Sequence, residues 1–102
     1  MICRIWHGYT THQNADQYEA LLKDEIFLGI RNRHISGFKG IQLLRRKTIK
    51  ETEFITIMTF DSLESVQEFA GIDYEKAVVP EKAKAILSRF DKRSQHYEIR
   101  ND

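Results

Sequence analysis

The stretch from Phe54 to Gly71, FITIMTFDSLESVQEFAG, limits the fold more than any other part of the chain. It reads as a β-strand that breaks at Asp61-Ser62 straight into a helix. Side chains alternate along a strand, so Phe54, Met58 and Phe60 point one way and Ile55 and Ile57 the other. A sheet with one wet face would alternate apolar and polar residues instead. This strand calls for cover on both faces. Helices can supply one cover in a chain of 102 residues. A second copy of the same sheet is the simplest source of the other.

Composition sets the remaining bounds. The length fits one domain spanning residues 1–102, able to bury roughly 65% of its unfolded surface. Hydrophobic residues make up 41% and charged residues 30%, ordinary for a globular chain. A net charge of +1 supplies no field that would draw nucleic acid or an anionic membrane. The run Arg45-Arg46-Lys47 reads as a solvated strand end. The lone Cys3 has no internal disulfide partner, which suits a reducing compartment. MICRIWHGYT contains no apolar run of signal-peptide or membrane-span length, so the expected location is the cytoplasm.

Local patterns order the elements. Residues 2–10, rich in β-branched and aromatic side chains, predict a first strand. Asn14 with Gln17 forms a weak capping box for a helix running to about His34, with Tyr18, Leu21, Leu22, Ile26 and Ile30 as its apolar stripe. Ser36-Gly37 ends it. Residues 38–49 predict a second strand, joined to the third through Lys50-Glu51-Thr52 as an antiparallel hairpin. Asp61 and Glu64, with Ser62 also available, cap the second helix. That helix is interrupted at Gly71 and resumes near Pro80, with Ala83, Ile86, Leu87 and Phe90 as its buried stripe. Residues 93–100 predict the last strand.

The order β-α-β-β-α-β is that of the ferredoxin-like α+β sandwich, an antiparallel sheet with helices on one face. Trp6, Leu43, Ile55 and Ile57 are expected on the other face, which no element is left to cover. Exposed apolar area of that kind marks an interface. The expected partner is a second copy in a two-fold homodimer.

Taken together, Cys3-Arg4-Ile5-Trp6, YEALLKDEIFLGI in helix one, GFKGIQLLRR in strand two, TFDSLESVQEFAGIDYEKAVVPEKAKAILSRFD, and His96-Tyr97-Glu98 resemble the antibiotic biosynthesis monooxygenase family of dimeric α/β-barrel proteins. The resemblance covers nearly the whole chain. It implies a homodimer with a small cavity between sheet and helices in each subunit, where the oxygenase branches bind aromatic substrates. The haem-degrading branch places an Asn on the first strand, a Trp at the end of the third and a His on the second helix. This chain has His7, Phe60 and the Val78-Val79 stretch there, which disfavours haem degradation. The anthrone-type oxygenases bind a polyphenol with Asn, Trp, Tyr and Arg. Trp6, Tyr9 and Arg45 are of the right types, though their roles do not transfer residue by residue.

The chain carries few other motifs. His7, His12, His34 and His96 form no metal-binding motif, so no metal is expected. No glycine-rich phosphate loop, flavin or nucleotide signature appears, and no cofactor is expected. Cys3 has no neighbour that would lower its pKa. His7 shares a strand face with Ile5 and Tyr9. If that face meets the helices, its imidazole could serve as base on an acidic phenol, with His96 lining the same cavity. Otherwise both are ordinary strand histidines. Trp6 is expected either at the dimer interface or on the substrate, and Tyr9 to orient the substrate. Phe60 is expected in the cavity wall. Tyr74, in the break of the second helix, is a candidate gate or ligand contact, or a loop cap. A shift of one residue in strand phase would exchange the histidines with Trp6 and Tyr97, which makes Tyr97 a further candidate contact. Two functions follow. One is a cofactor-independent oxygenase acting on a small phenolic substrate. The other is a non-catalytic dimer that binds a small apolar ligand or serves in stress. Haem binding is a weaker third.

Overall fold

The computed structural model describes residues 1–102. Strand β1 (Ile2–Thr10) is followed by helix α1 (Ala15–Leu21), a π-helical turn (Leu22–Ile26) and helix α2 (Phe27–Arg31). Strands β2 (Phe38–Lys47) and β3 (Thr52–Phe60) form the hairpin, and helices α3 (Leu63–Ala70) and α4 (Glu81–Ile86) follow. Strands β4 (Arg89–Phe90) and β5 (Gln95–Glu98) close the chain. The sheet is antiparallel, in the order β2-β3-β1, with β4 and β5 sharing the remaining edge of β1. This is the expected ferredoxin-like α+β fold. No helix is long and apolar enough to cross a membrane.

Strand β3 behaves as its alternation predicts. Phe54, Met58 and Phe60 are buried under the helices, and Ile55 and Ile57 lie half-buried on the open face. Strand β1 runs in the opposite phase to the expected one. Its register sets Trp6 against Thr56 and His7 against Ile55. Directly opposed residues share a face. Trp6 therefore faces the helices, while His7 and Tyr9 lie on the open side. Leu43 also opposes Thr56 and packs into the helix-side core, and Leu44 takes the open face. In β5, His96 opposes Arg4 on the helix side and Tyr97 opposes Cys3 on the open side.

Four local expectations change. Asn14 is itself helical and makes no side-chain cap; its amide donates to the Ile86 carbonyl at 3.4 Å. Ser62, rather than Asp61, caps α3 by accepting from the Ser65 backbone N–H at 3.3 Å. The π turn widens the first helix by inserting residues into its ladder, so Phe27 is buried beside the predicted stripe. Phe90 leaves the helical stripe for β4, because α4 stops at Ile86.

The last strand is split, and the split shapes the cavity. Ile5 pairs with Gln95 and Gly8 pairs with Phe90. Asp91 to Ser94 therefore stand opposite only Trp6 and His7. Extra residues of this kind leave the ladder and re-aim side chains, as bulges next to sites often do.

Gly37 closes the turn after the first helix with φ +84°. A Cβ there would sit 2.1 Å from Ser65 Oγ, beside the Ser62 cap. Gly37→Ala is expected to cost about 1–3 kcal/mol. In urea unfolding its midpoint should fall with an unchanged slope. An unchanged midpoint would contradict the backbone account.

Candidate functional site

A cavity of about 60 Å³ lies between the helix side of the sheet and the helices. Eleven of its fifteen lining residues are hydrophobic. The first helix supplies Tyr18, Leu22, Ile26, Phe27 and Ile30. The sheet supplies Trp6, Thr56 and Met58, and the irregular stretch before α4 supplies Val78, Val79 and Pro80.

Trp6 is held firmly in the wall. Its indole N–H donates to the Asp91 carbonyl at 2.8 Å, a contact made possible by the split strand. Its ring lies over Gly8, where an added Cβ would come within 2.6 Å of the indole. Glycine at that position lets the indole lie flat along the strand.

The polar end of the cavity is Arg4 and Ser94. Arg4 is 3% exposed. It donates from Nη1 to the Tyr74 carbonyl and, at 2.9 Å, to His96 Nε2, and from Nη2 to the Lys76 carbonyl at 3.1 Å. The guanidinium also lies 5.4 Å from the centre of the Phe69 ring. No carboxylate pairs with it; the ion pairs of the protein involve other residues. Burial lowers its pKa to about 10, which still leaves it charged at neutral pH. The Ser94 hydroxyl, in a residue 3% exposed, has no hydrogen-bond partner in the protein.

Arginine can only donate, so His96 Nε2 must accept and the ring proton sits on Nδ1. That nitrogen is buried and has no partner in the protein. The Tyr74 ring packs edge-on against the imidazole with centroids 5.1 Å apart. Burial and, after it, the Arg4 charge hold the His96 pKa below the ordinary histidine value; Glu75 opposes the shift. The histidine lone pair points at a guanidinium, so His96 is a positioning residue and a poor base.

The predicted site residues separate into two groups. Trp6 lines the cavity. His96 and Tyr74 stand behind Arg4, and Phe60 belongs to a second core cluster with Val66 and Phe69. His7, Tyr9 and Tyr97 are on the open face, away from the cavity. His7 Nδ1 sits 3.2 Å from Asp91 Oδ2. The Tyr9 hydroxyl donates to Glu53 at 3.4 Å, beneath the Arg89 guanidinium. His7 and His96 thus lie on opposite faces of the sheet and share no cavity. Arg4 and Ser94 were not singled out from the sequence. The signal for Arg4 was its position two residues before Trp6, which puts both on one face. No side chain of Asp, Glu, His or Lys lines the cavity. No three residues among His, Cys, Asp and Glu come together as a metal site. Burial raises the Cys3 pKa, the reverse of an activated thiol.

Comparison with solved structures adds one finding. The chain superposes on the crystal structure of a "Putative Antibiotic Biosynthesis Monooxygenase" from Bacillus cereus with a TM-score of 0.65, covering 99% of this chain and 94% of that one. The fold is that of the antibiotic biosynthesis monooxygenases. Sequence identity is 12%, so the likeness establishes the fold alone. No family model matches the chain, and no curated protein matches it in sequence.

The His96 pKa gives a pH prediction with a fixed sign. The folded pKa is depressed, so the unfolded chain takes up the proton first and acid favours unfolding. The stabilising contribution is present above the ordinary histidine range near 6.5 and is lost as pH falls through the lower folded pKa. Thermal stability should fall between about pH 7 and pH 5, and His96→Gln should flatten that slope. An unchanged slope in the variant would exclude His96 as its source.

Proposed function

We propose that the protein is a cofactor-independent monooxygenase of the antibiotic-biosynthesis type, acting on a small aromatic, phenolic substrate in the Arg4 cavity. The observation that carries this reading is a buried, unpaired guanidinium at the end of an otherwise apolar chamber walled by Trp6. Such a cation stabilises an oxyanion developing on the substrate, and in a dry site it does so far more strongly than in water. The cavity presents no carboxylate or histidine base. The substrate therefore has to be acidic itself and lose its proton to solvent, with Arg4 favouring the anion.

The chemistry balances without a further reductant. An activated ring CH₂ loses a proton, and the carbanion passes one electron to dioxygen. The resulting radical and superoxide join through a C–O bond, and protonation gives a hydroperoxide. Loss of water, which takes the remaining hydrogen from that carbon and breaks the O–O bond, leaves a carbonyl. One oxygen atom enters the product and the other leaves as water. At about 60 Å³ the chamber is well below the 300 Å³ or more typical of ligand pockets. Entry requires the segment around Val78–Pro80 or lining side chains to yield.

The lack of a side-chain base also favours a second reading, a non-catalytic binder of small aromatic molecules. Oxygen uptake decides between the two. Anthrones, which carry the activated ring CH₂ the step consumes, would be tested in the presence of chelator, with hydroquinones and catechols, which lack it, as controls. The oxygenase reading predicts turnover by the wild type, His7→Ala within about twofold, and Arg4→Gln, its fold checked by circular dichroism, reduced by about a hundredfold. Full loss in His7→Ala would move the chemistry to the open face. No turnover on any of these substrates would favour the binder.

The open face supports a two-fold homodimer as the working assembly. Ile5, Ile55 and Ile57 lie uncovered there beside Leu44, 46% exposed, and Tyr97, 55% exposed. His7 and Tyr9 would then be interface residues. With the unpartnered Cys3, we place this dimer in the cytoplasm, and we propose no role with nucleic acid or membrane. Light scattering at micromolar concentration should give twice the 12.1 kDa chain mass, and Ile57→Glu should halve it. A monomeric wild type would overturn the dimer.

A further inference from the structure

We infer that the cavity is an anion receptor, built for a small aromatic molecule that carries one anionic oxygen group and presents it to Arg4 and Ser94. This deepens the reading above by naming the charge class of the ligand. It rests on the same cavity but not on any reaction with oxygen.

Two independent observations meet at one end of one chamber. The first is the guanidinium of Arg4. A charge this buried is costly unless paired, and proteins ordinarily pair it with a carboxylate. Here its partners are two backbone carbonyls and an imidazole nitrogen, all neutral. Three of its N–H groups are engaged in these bonds. A guanidinium carries five such donors, so donors remain. The second observation is Ser94. Its hydroxyl is buried and has no partner in the protein, and the residue is one of those that line the same chamber. Buried hydroxyls are nearly always hydrogen-bonded, so an unpartnered one on a cavity-lining residue marks a place for an acceptor or donor brought from outside.

The ligand that satisfies both is an anionic oxygen. Oxygen of a carboxylate or phenolate accepts from a guanidinium in short, charge-assisted bonds, and also from a serine hydroxyl. The rest of the ligand must be apolar and flat, since Trp6, Phe27, Phe69 and Met58 form the walls. A single guanidinium in a chamber of this size matches one negative charge, which sets a monoanion apart from a phosphate ester.

The test uses Trp6, the only tryptophan of the chain, as a built-in reporter in the cavity wall. Benzoate and pentafluorophenolate, the carboxylate and phenolate arms, are titrated against wild-type protein, with benzyl alcohol as the neutral ring of similar size. Trp6 emission should respond, and at least one anion should bind about tenfold or more tightly than benzyl alcohol. The tighter arm identifies the oxygen group. Ser94→Ala keeps the fold intact, since it deletes a hydroxyl that bonds nothing. It should melt no lower than wild type, lose about fivefold in affinity for the anion and leave benzyl alcohol unchanged. Equal binding of benzyl alcohol and both anions, an unchanged anion affinity in Ser94→Ala, or no response of Trp6 to any of the three would each overturn the inference. Tight anion binding without oxygen uptake would remove the oxygenase and keep the receptor. Oxygen uptake without an anion preference would do the reverse.

Discussion

The buried guanidinium of Arg4 is the interaction on which the site depends. It reaches from the central strand to the carbonyls of Tyr74 and Lys76 and to the imidazole of His96. The stretch between α3 and α4 has no regular backbone ladder of its own. Its course is set by Arg4 from inside, and by Arg93 from outside through Asp73 and Glu75. Backbone bonds from Ser94 to Glu75 and from Ala77 to Lys92 tie it to the split strand. Val78, Val79 and Pro80 then close the chamber. One charged side chain therefore both positions a wall of the cavity and supplies its polar end.

The split between β4 and β5 is the second device. The Asp91 N–H still donates to the His7 carbonyl of β1, whereas the Ser94 N–H turns away to the Glu75 carbonyl. The extra residues bring the Asp91 carbonyl to the Trp6 indole and place Ser94 in the chamber. Trp6, Gly8 and Asp91 form one packed unit, with the indole lying on the glycine. The two faces of the sheet are thereby given different tasks. The helix face carries the cavity, and the open face carries Ile5, Ile55 and Ile57.

Much of the fold was legible in the sequence because β3 is unambiguous. Phe54, Met58 and Phe60 against Ile55 and Ile57 leave one way to place the helices. The site was less legible because β1 is mixed on both faces. Ile2, Arg4, Trp6, Gly8 and Thr10 alternate with Cys3, Ile5, His7 and Tyr9, and neither set is plainly apolar. An arginine on the inner set argues for the wrong phase by the usual burial rule, and only the cross-strand register resolves it. The same slip misplaced Trp6, Tyr9 and His7, while His96, on β5, kept its expected side of the sheet. Ser94 gave no signal, since its burial comes from a strand break marked by neither glycine nor proline. The π turn that buries Phe27 is hidden for a similar reason: the apolar spacing there fits an ordinary helix nearly as well.

The central claim is that Arg4 is a fixed, buried cation with donors to spare. Nitrogen-15 NMR of the arginine side chains tests it most directly. A guanidinium locked by carbonyls and an imidazole should give slowly rotating, exchange-protected Nη hydrogens, resolved from the averaged signal of the exposed arginines. Those resonances should disappear in Arg4→Lys and shift when the tighter-binding of benzoate and pentafluorophenolate is added. A spectrum in which all the guanidinium groups rotate freely, or in which the protected set ignores both anions, would contradict the account.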